Sequence, residues 1–152
     1  RVKTLDLSLD EFRRIVAIIL EGAFLCSRAV LPHMIDQQWG RIVNISGIGN
    51  YVGYAERVHV HAGKGGLDAM TRSLSSEFCE QGITVNTVGV GKIGGERATS
   101  AGPSPKNVPN APPIGFPGEP TDIANAVGFL CQPASRFITG TMLHVNGNEY
   151  LA

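Results

Sequence analysis

Short β-branched segments alternate with stretches of helical periodicity along this chain, and this alternation limits the available folds more than any other feature. The β-branched segments span 41–46, 83–88 and 141–146, and the helical stretches span 9–34, 62–81 and 121–131. Strands that alternate with helices form a parallel sheet through right-handed crossovers. The sequence therefore predicts an α/β fold with a parallel sheet.

The first two predicted helices carry clear signals. Ser8 followed by Glu11 forms a capping box, so we expect the first helix to begin near Leu9. Gly82 ends the second helix. Small residues recur along one face of this second helix, which predicts close packing against another helix or a second subunit; they are Gly63, Gly66, Ala69 and Ser73.

Composition excludes several classes of function. The chain has 13 basic and 13 acidic residues and no basic stripe, so neither nucleic acid nor an anionic membrane is an expected partner. The most apolar run, 15–20, is shorter than the roughly 20 residues of a membrane span. The three cysteines have no metal-ligand spacing, which predicts no metal site and buried thiols in a reducing compartment. No leader pattern opens the sequence, and we expect a cytoplasmic protein.

A glycine motif and a segment without periodicity remain after the helices and strands are assigned. Residues 89–94 satisfy GxGxxG after a strand, but Pro103 and Pro105 follow instead of a helix, which disfavours a phosphate cradle. Residues 96–120 have no apolar period, which is typical of a lid over a site or a poorly ordered loop.

Five collinear motifs carry a resemblance to a known family. They are RIVNISG at 41–47, HAGKGGL at 61–67, MTRSL at 70–74, GITVN at 82–86, and ITG at 138–140 before VNG at 145–147. In this order they closely resemble the short-chain dehydrogenase/reductase family. The similarity runs from about Leu5 to the C-terminus.

The resemblance implies the C-terminal portion of a doubly wound, Rossmann-like parallel sheet. Residues 1–152 correspond to a single partial domain, because the glycine-rich turn and the rest of the family's N-terminal cofactor-binding half have no counterpart here. The three strands match the fifth to seventh of the family sheet, and residues 96–120 match its substrate loop. The bare edge of the first strand implies that a longer chain or another polypeptide completes the sheet.

The resemblance also implies partners and cofactors. Family helices matching 9–34 and 62–81 often form a four-helix interface between subunits, so we expect a homo- or hetero-oligomer with other family members. The cofactor implied is NAD or NADP. Its binding positions in this chain are Lys64, Gly91 and Ile93.

The family's catalytic positions are mostly lost in this sequence. Family members transfer a hydride while a tyrosine, assisted by a lysine four residues later, transfers a proton. Lys64 matches the lysine, but the tyrosine position holds Val60. The serine position holds Gly47, and the helix asparagine position holds Ile19.

Two interpretations follow, and the sequence leaves both open. The first is a non-catalytic structural or regulatory subunit paired with an active family member. The alternative is an NAD(P)-dependent oxidoreductase of an alcohol or ketone with a relocated proton donor, for which His61 and Tyr54 are the candidates. A truncated product without a function of its own is a third possibility.

Overall fold

The computed structural model describes residues 1–95 and 111–151 and shows an α/β arrangement around a three-stranded parallel sheet. The strands are β1 Gly40–Gly47, β2 Ile83–Val90 and β3 Met142–Val145. The helices are α1 Leu9–Val16, α2 Gly22–Asp36, α3 Gly49–Val52, α4 Val58–Phe78 and α5 Pro120–Cys131. The predicted fold class is confirmed, and the three predicted strands and helices are present with shifted ends.

The sheet has the order β1-β2-β3 with both pairs parallel. Its central strand, β2, is buried along almost its whole length, whereas Ile45 on β1 is 42% exposed. The core forms where Leu31 of α2 meets Ile83 and Val85 of β2. β1 is an edge strand of the sheet that the described residues form.

The first helix is continuous over Leu9–Asp36 and contains an irregular turn. As predicted, it begins at Leu9, and the Ser8 hydroxyl accepts a hydrogen bond from the Glu11 backbone at 3.2 Å. The Glu11 carboxylate pairs with Arg14 at 2.7 Å instead of returning to Ser8. A π-helical turn, Ala17–Glu21, joins α1 to α2.

The helix Leu9–Asp36 is long and apolar enough to cross a membrane by length and composition alone, and few of its residues are buried within the chain. Length therefore does not exclude a membrane span here, contrary to the argument from the short run 15–20. A helix whose apolar side chains are covered by another protein can have the same length and apolar composition. The absence of a membrane partner remains an expectation.

Helix α4 begins at Val58, four residues before the predicted start at residue 62. The preceding segment, expected to be a loop, contains the single turn α3, which ends at Gly53 with a φ of 74°. Two of the four small residues on α4 pack within the chain. A Cβ at Gly63 would lie 3.1 Å from the Ile19 side chain, and one at Gly66 would lie 2.8 Å from Leu20.

Most of the predicted substrate loop, residues 96–110, lies outside the described residues. The described residues 111–120 lie beside the segment that follows β2, with a parallel bridge between Ile93 and Gly118. No helix follows β2 within residues 91–95, so this part of the GxGxxG motif has no helix N-terminus to hold a phosphate.

Candidate functional site

The carboxyl ends of the three strands meet at one edge of the sheet. Gly47 is in register with Val90, and Val90 is in register with Val145. In open parallel sheets, ligands bind in the crevice outside these strand ends. The candidate site therefore lies here, between α4, the segment after β2 and the C-terminal tail.

Lys64 projects from α4 to the end of β1. Its Nζ atom donates a hydrogen bond to the backbone carbonyl of Ile45 at 2.5 Å. Burial lowers the pKa of the Lys64 amine below its ordinary value, while the negative charge of Asp68 acts in the opposite direction. The retained family lysine is thus a partly desolvated amine held by a neutral acceptor.

This shift of the Lys64 pKa predicts a pH dependence of stability. The folded pKa lies below the ordinary 10.5, so between the two values the unfolded chain binds more protons and stability rises with pH. We expect Lys64→Met to remove this rise. The stability advantage of the Met variant over the original chain should therefore be larger near pH 8 than at about pH 10.5, in urea unfolding at both pH values.

Lys3→Met serves as the matched control, because Lys3 is exposed near the N-terminus. This variant should show the same rise in stability with pH as the original chain. If Lys64→Met also shows that rise unchanged, the lowered pKa of Lys64 is not its cause.

The position of the family serine has no side chain. A Cβ built at Gly47 would meet only the Val90 carbonyl oxygen, at 3.6 Å, so the space for a side chain exists. The neighbouring Ser46 is 4% exposed, and its hydroxyl has no hydrogen-bond partner among the described residues. Ser46 lies on the same face of β1 as Asn44, which bonds Thr71 on α4. Its hydroxyl is therefore buried under α4.

Two further family positions carry apolar side chains. Val60 lies one turn before Lys64 on α4 and is partly buried. Ile19 lies in the π-helical turn and packs on Gly63 of α4. Neither side chain can accept or donate a proton.

The structure brings the two proposed substitutes, His61 and Tyr54, together. Their ring centroids lie 6.2 Å apart, and a Cβ at Gly49 would be 2.7 Å from His61 Nε2 and 3.1 Å from the Tyr54 ring. Burial lowers the pKa of His61, with a contribution from the Arg57 charge. Burial also raises the pKa of Tyr54, with a contribution from Glu149, which makes the phenol a weaker acid. These residues form a contact pair, and the charge of Arg57 acts on both of them by lowering their pKa values.

A buried polar cluster that the sequence did not reveal lies beside the site. Asp68 is 3% exposed, and its Oδ2 atom accepts hydrogen bonds from Asn50 Nδ2 at 2.6 Å and the Tyr51 hydroxyl at 3.0 Å. The Tyr51 ring stacks on Tyr150 at a centroid distance of 5.1 Å and meets the edge of His144 at 6.4 Å. This cluster ties α4 to the segment after β1 and to the C-terminal tail. The only sequence signal was an acidic residue one turn after Lys64.

The cofactor positions after β2 have different surroundings. A Cβ at Gly91 would lie 2.5 Å from both Asn146 Cα and Glu149 Oε2, so packing of the tail explains this glycine without a cofactor. The Glu149 carboxylate accepts a hydrogen bond from the Lys92 backbone at 2.5 Å.

The segment around Ile93 pairs with the segment that precedes α5. On one side of this segment, Gly94 donates to the Gly118 carbonyl at 2.7 Å, and Gly118 donates to the Lys92 carbonyl at 3.0 Å. Because peptide groups alternate along an extended chain, the amide and carbonyl of Ile93 point to the opposite side.

Comparisons with known proteins agree with this fold. A family model described as enoyl-(acyl carrier protein) reductase matches residues 1–147. The chain is 37% identical over 139 residues to the 3-oxoacyl-[acyl-carrier-protein] reductase FabG of Rickettsia conorii, covering 91% of this chain and 58% of that relative. It is 38% identical over 131 residues to 2,3-dihydroxy-2,3-dihydro-p-cumate dehydrogenase of Pseudomonas putida, covering 84% and 51%.

Two solved structures have the same fold as this chain. The acetoin dehydrogenase of Enterobacter cloacae superposes with a TM-score of 0.86 at 31% identity, over 98% of this chain and 59% of that protein. The acetoin dehydrogenase YohF of Salmonella typhimurium gives a TM-score of 0.84 at 32% identity, with the same coverage.

The fold thus defines a Rossmann-like α/β domain that corresponds to the C-terminal part of its relatives. The chain belongs to the short-chain dehydrogenase/reductase family. It spans 58% of the length of its Rickettsia conorii relative.

Proposed function

We propose that this chain is a non-catalytic member of its family, which serves as a structural or regulatory subunit beside an identical chain or an active family member. The observation that carries this proposal is the combination of a well-formed C-terminal scaffold with Ile19, Gly47 and Val60 at the catalytic positions. Ile19 packs on Gly63 at the position that matches the family's asparagine.

The size of the expected loss supports a non-catalytic role. Removing a general acid or base costs typically about 10²–10⁴-fold in rate. Losing a hydrogen-bond donor to the reacting oxygen costs about a further 10²–10³-fold, although such effects do not simply add within one site. Val60 removes the first contribution and Gly47 removes the second.

NAD or NADP, when bound, would supply the hydride or accept it. Lys64 and the backbone of Ile93 are the residues of this chain that would hold its nicotinamide end. Gly91 fits a packing role against the tail better than a cofactor role, because the space beside it is filled.

Exposed apolar side chains on the first helix support the proposal of a subunit partner. Several of its large apolar side chains are more than two-fifths exposed: Ile18, Phe24, Leu25 and Val30. A helix that exposes this many large apolar side chains is suited to an interaction with another protein. We propose that another family subunit covers it and that the protein is cytoplasmic.

An assay with NADH and NADPH tests the proposed function. With a panel of small ketones, we expect no oxidation of either cofactor above the rate without protein, because no proton donor is available at Val60. Size-exclusion chromatography is expected to show a dimer or larger species. Turnover or a stable monomer would each contradict the proposal.

The contact between His61 and Tyr54 favours one alternative, an alcohol or ketone oxidoreductase with a relocated proton donor. If turnover is found, His61→Ala and Tyr54→Phe should each reduce kcat by at least about 10²-fold under this alternative. The matched control is Tyr51→Phe, whose hydroxyl is engaged by Asp68.

A further inference from the structure

We propose that a small cavity beside Asp68, between α4 and the strands β2 and β3, binds a monovalent cation of the size of Na⁺. This site goes beyond the proposed function, because it involves neither the nicotinamide cofactor nor the catalytic positions of the family.

The first observation is a buried carboxylate with one free oxygen. Asp68 is 3% exposed and forms no ion pair in the described part of the chain, since Lys64 one turn earlier bonds the Ile45 carbonyl instead. Asn50 and Tyr51 both donate to Asp68 Oδ2, whereas Oδ1 is buried and has no hydrogen-bond partner among the described residues. Buried charges in proteins are normally paired or bound to a metal ion, because removal from water is costly.

The second observation is a cavity of about 20 Å³ next to this carboxylate. Its lining comes from α4 on one side and from the two strands on the other: Asp68, Thr71 and Arg72, then Thr87 and residues 140–142. The two side chains that donate to Asp68 Oδ2 do not belong to this lining. The free oxygen, Oδ1, is therefore the one that remains to face the cavity.

The third observation is that hydrogen-bond donors around the cavity already have acceptors elsewhere. The Thr71 hydroxyl donates to a backbone carbonyl of its own helix at 3.0 Å, and the Thr87 hydroxyl donates to Thr71 at 3.0 Å. The backbone amides of Gly140 and Thr141 donate to groups of β2 at 2.8 and 3.2 Å. The Thr87 oxygen thus keeps only lone pairs for the cavity, as does Asp68 Oδ1, and two oxygen acceptors around one space favour a cation.

The size and charge of the site select the ion. A cavity of about 20 Å³ holds one particle of about the size of a water molecule. Mg²⁺ keeps several of its waters when it binds, and Ca²⁺ takes about six to eight oxygen ligands. The cavity is too small for the first and offers too few oxygens for the second. The single negative charge of Asp68 matches an ion with a single positive charge.

Unfolding in two salts tests the proposal. The whole chain is unfolded with urea in about 0.2 M NaCl and in choline chloride of the same ionic strength, whose cation is too large for the cavity. We expect the unfolding equilibrium constant to be about threefold lower in NaCl, which corresponds to a dissociation constant of about 0.1 M for Na⁺. Equal constants in the two salts would overturn the proposal and leave a water molecule as the partner of Asp68 Oδ1.

Asp68→Asn is the matched variant for this site. Its amide oxygen can still accept from Asn50 and Tyr51, but its neutral amide nitrogen replaces the charged oxygen that faces the cavity. We expect NaCl and choline chloride to give this variant the same stability. A NaCl advantage that persists in Asp68→Asn would show that Na⁺ acts elsewhere and would refute the assignment.

Arg72→Met tests the charge that competes with the ion. Arg72 lies one turn after Asp68, lines the same cavity and is exposed to solvent. Removing its positive charge should enlarge the stabilisation by NaCl relative to choline chloride. An unchanged or smaller NaCl effect would argue against a cation in this cavity. None of these measurements involves NAD(P)H turnover, so their failure is distinguishable from a failure of the proposed function.

Discussion

Gly82→Ala is expected to lower the free energy of unfolding by about 3 kcal/mol. Gly82 has a φ of 73°, and a Cβ at this position would lie in steric conflict with the backbone carbonyl of Gln38. The left-handed conformation alone costs a residue with a side chain about 1–2 kcal/mol. The remainder comes from moving backbone at the junction between α4 and β2, where the neighbouring Ile83 belongs to the core.

Gly53→Ala separates these two contributions. Gly53 has nearly the same φ, 74°, but nothing lies within 4 Å of a Cβ there. It should lose only about 1–2 kcal/mol. Urea unfolding of both variants measures the difference, and equal losses would show that the contact with Gln38 relaxes without cost.

Asp68→Leu is expected to cost about 2 kcal/mol of stability. Leucine cannot accept the hydrogen bonds from Asn50 and the Tyr51 hydroxyl. Asn50 is partly buried, and a donor left without a partner away from water costs about 1–3 kcal/mol, whereas Tyr51 is 42% exposed and its hydroxyl can bond water. Tyr51 also contacts His144 and Tyr150, so we expect its ring to lose its fixed position against the C-terminal tail.

Asp68→Asn is the matched variant, because its amide oxygen can still accept from both donors. It should cost less than about 1 kcal/mol. Urea unfolding gives the stability, and near-ultraviolet circular dichroism reports the packing of Tyr51. A leucine variant as stable as the asparagine variant would mean that the buried donors find other partners.

The sheet could be predicted because its signals are local. Segments 41–46 and 83–88 are β-branched and end near glycines, so their side chains favour strands wherever they pack. The start of α1 was equally predictable, because Ser8 caps the helix through its own hydroxyl. The ends of β1 and β2 differ from the prediction because hydrogen bonding to the neighbouring strand extends both strands.

Other features depend on contacts between distant residues and could not be predicted. Asp68 and Tyr51 are 17 residues apart, and only the fold shows that they share a hydrogen bond. The bond from Lys92 to Glu149 spans 57 residues. The π-helical turn could not be predicted either. Residues 17–21 have the composition of an ordinary helix, so nothing in the local sequence distinguishes the two.

The irregular turn around Ile19 restricts what can change at this position. Such turns are frequent where proteins carry out chemistry, and here the bend persists with a hydrocarbon side chain seated on a glycine. Tight packing alone can therefore hold this turn in place, whatever chemistry the chain does or does not perform. A polar side chain at position 19 would have to enter that tight contact with Gly63, so changing the chemistry at this turn also requires repacking of the two helices.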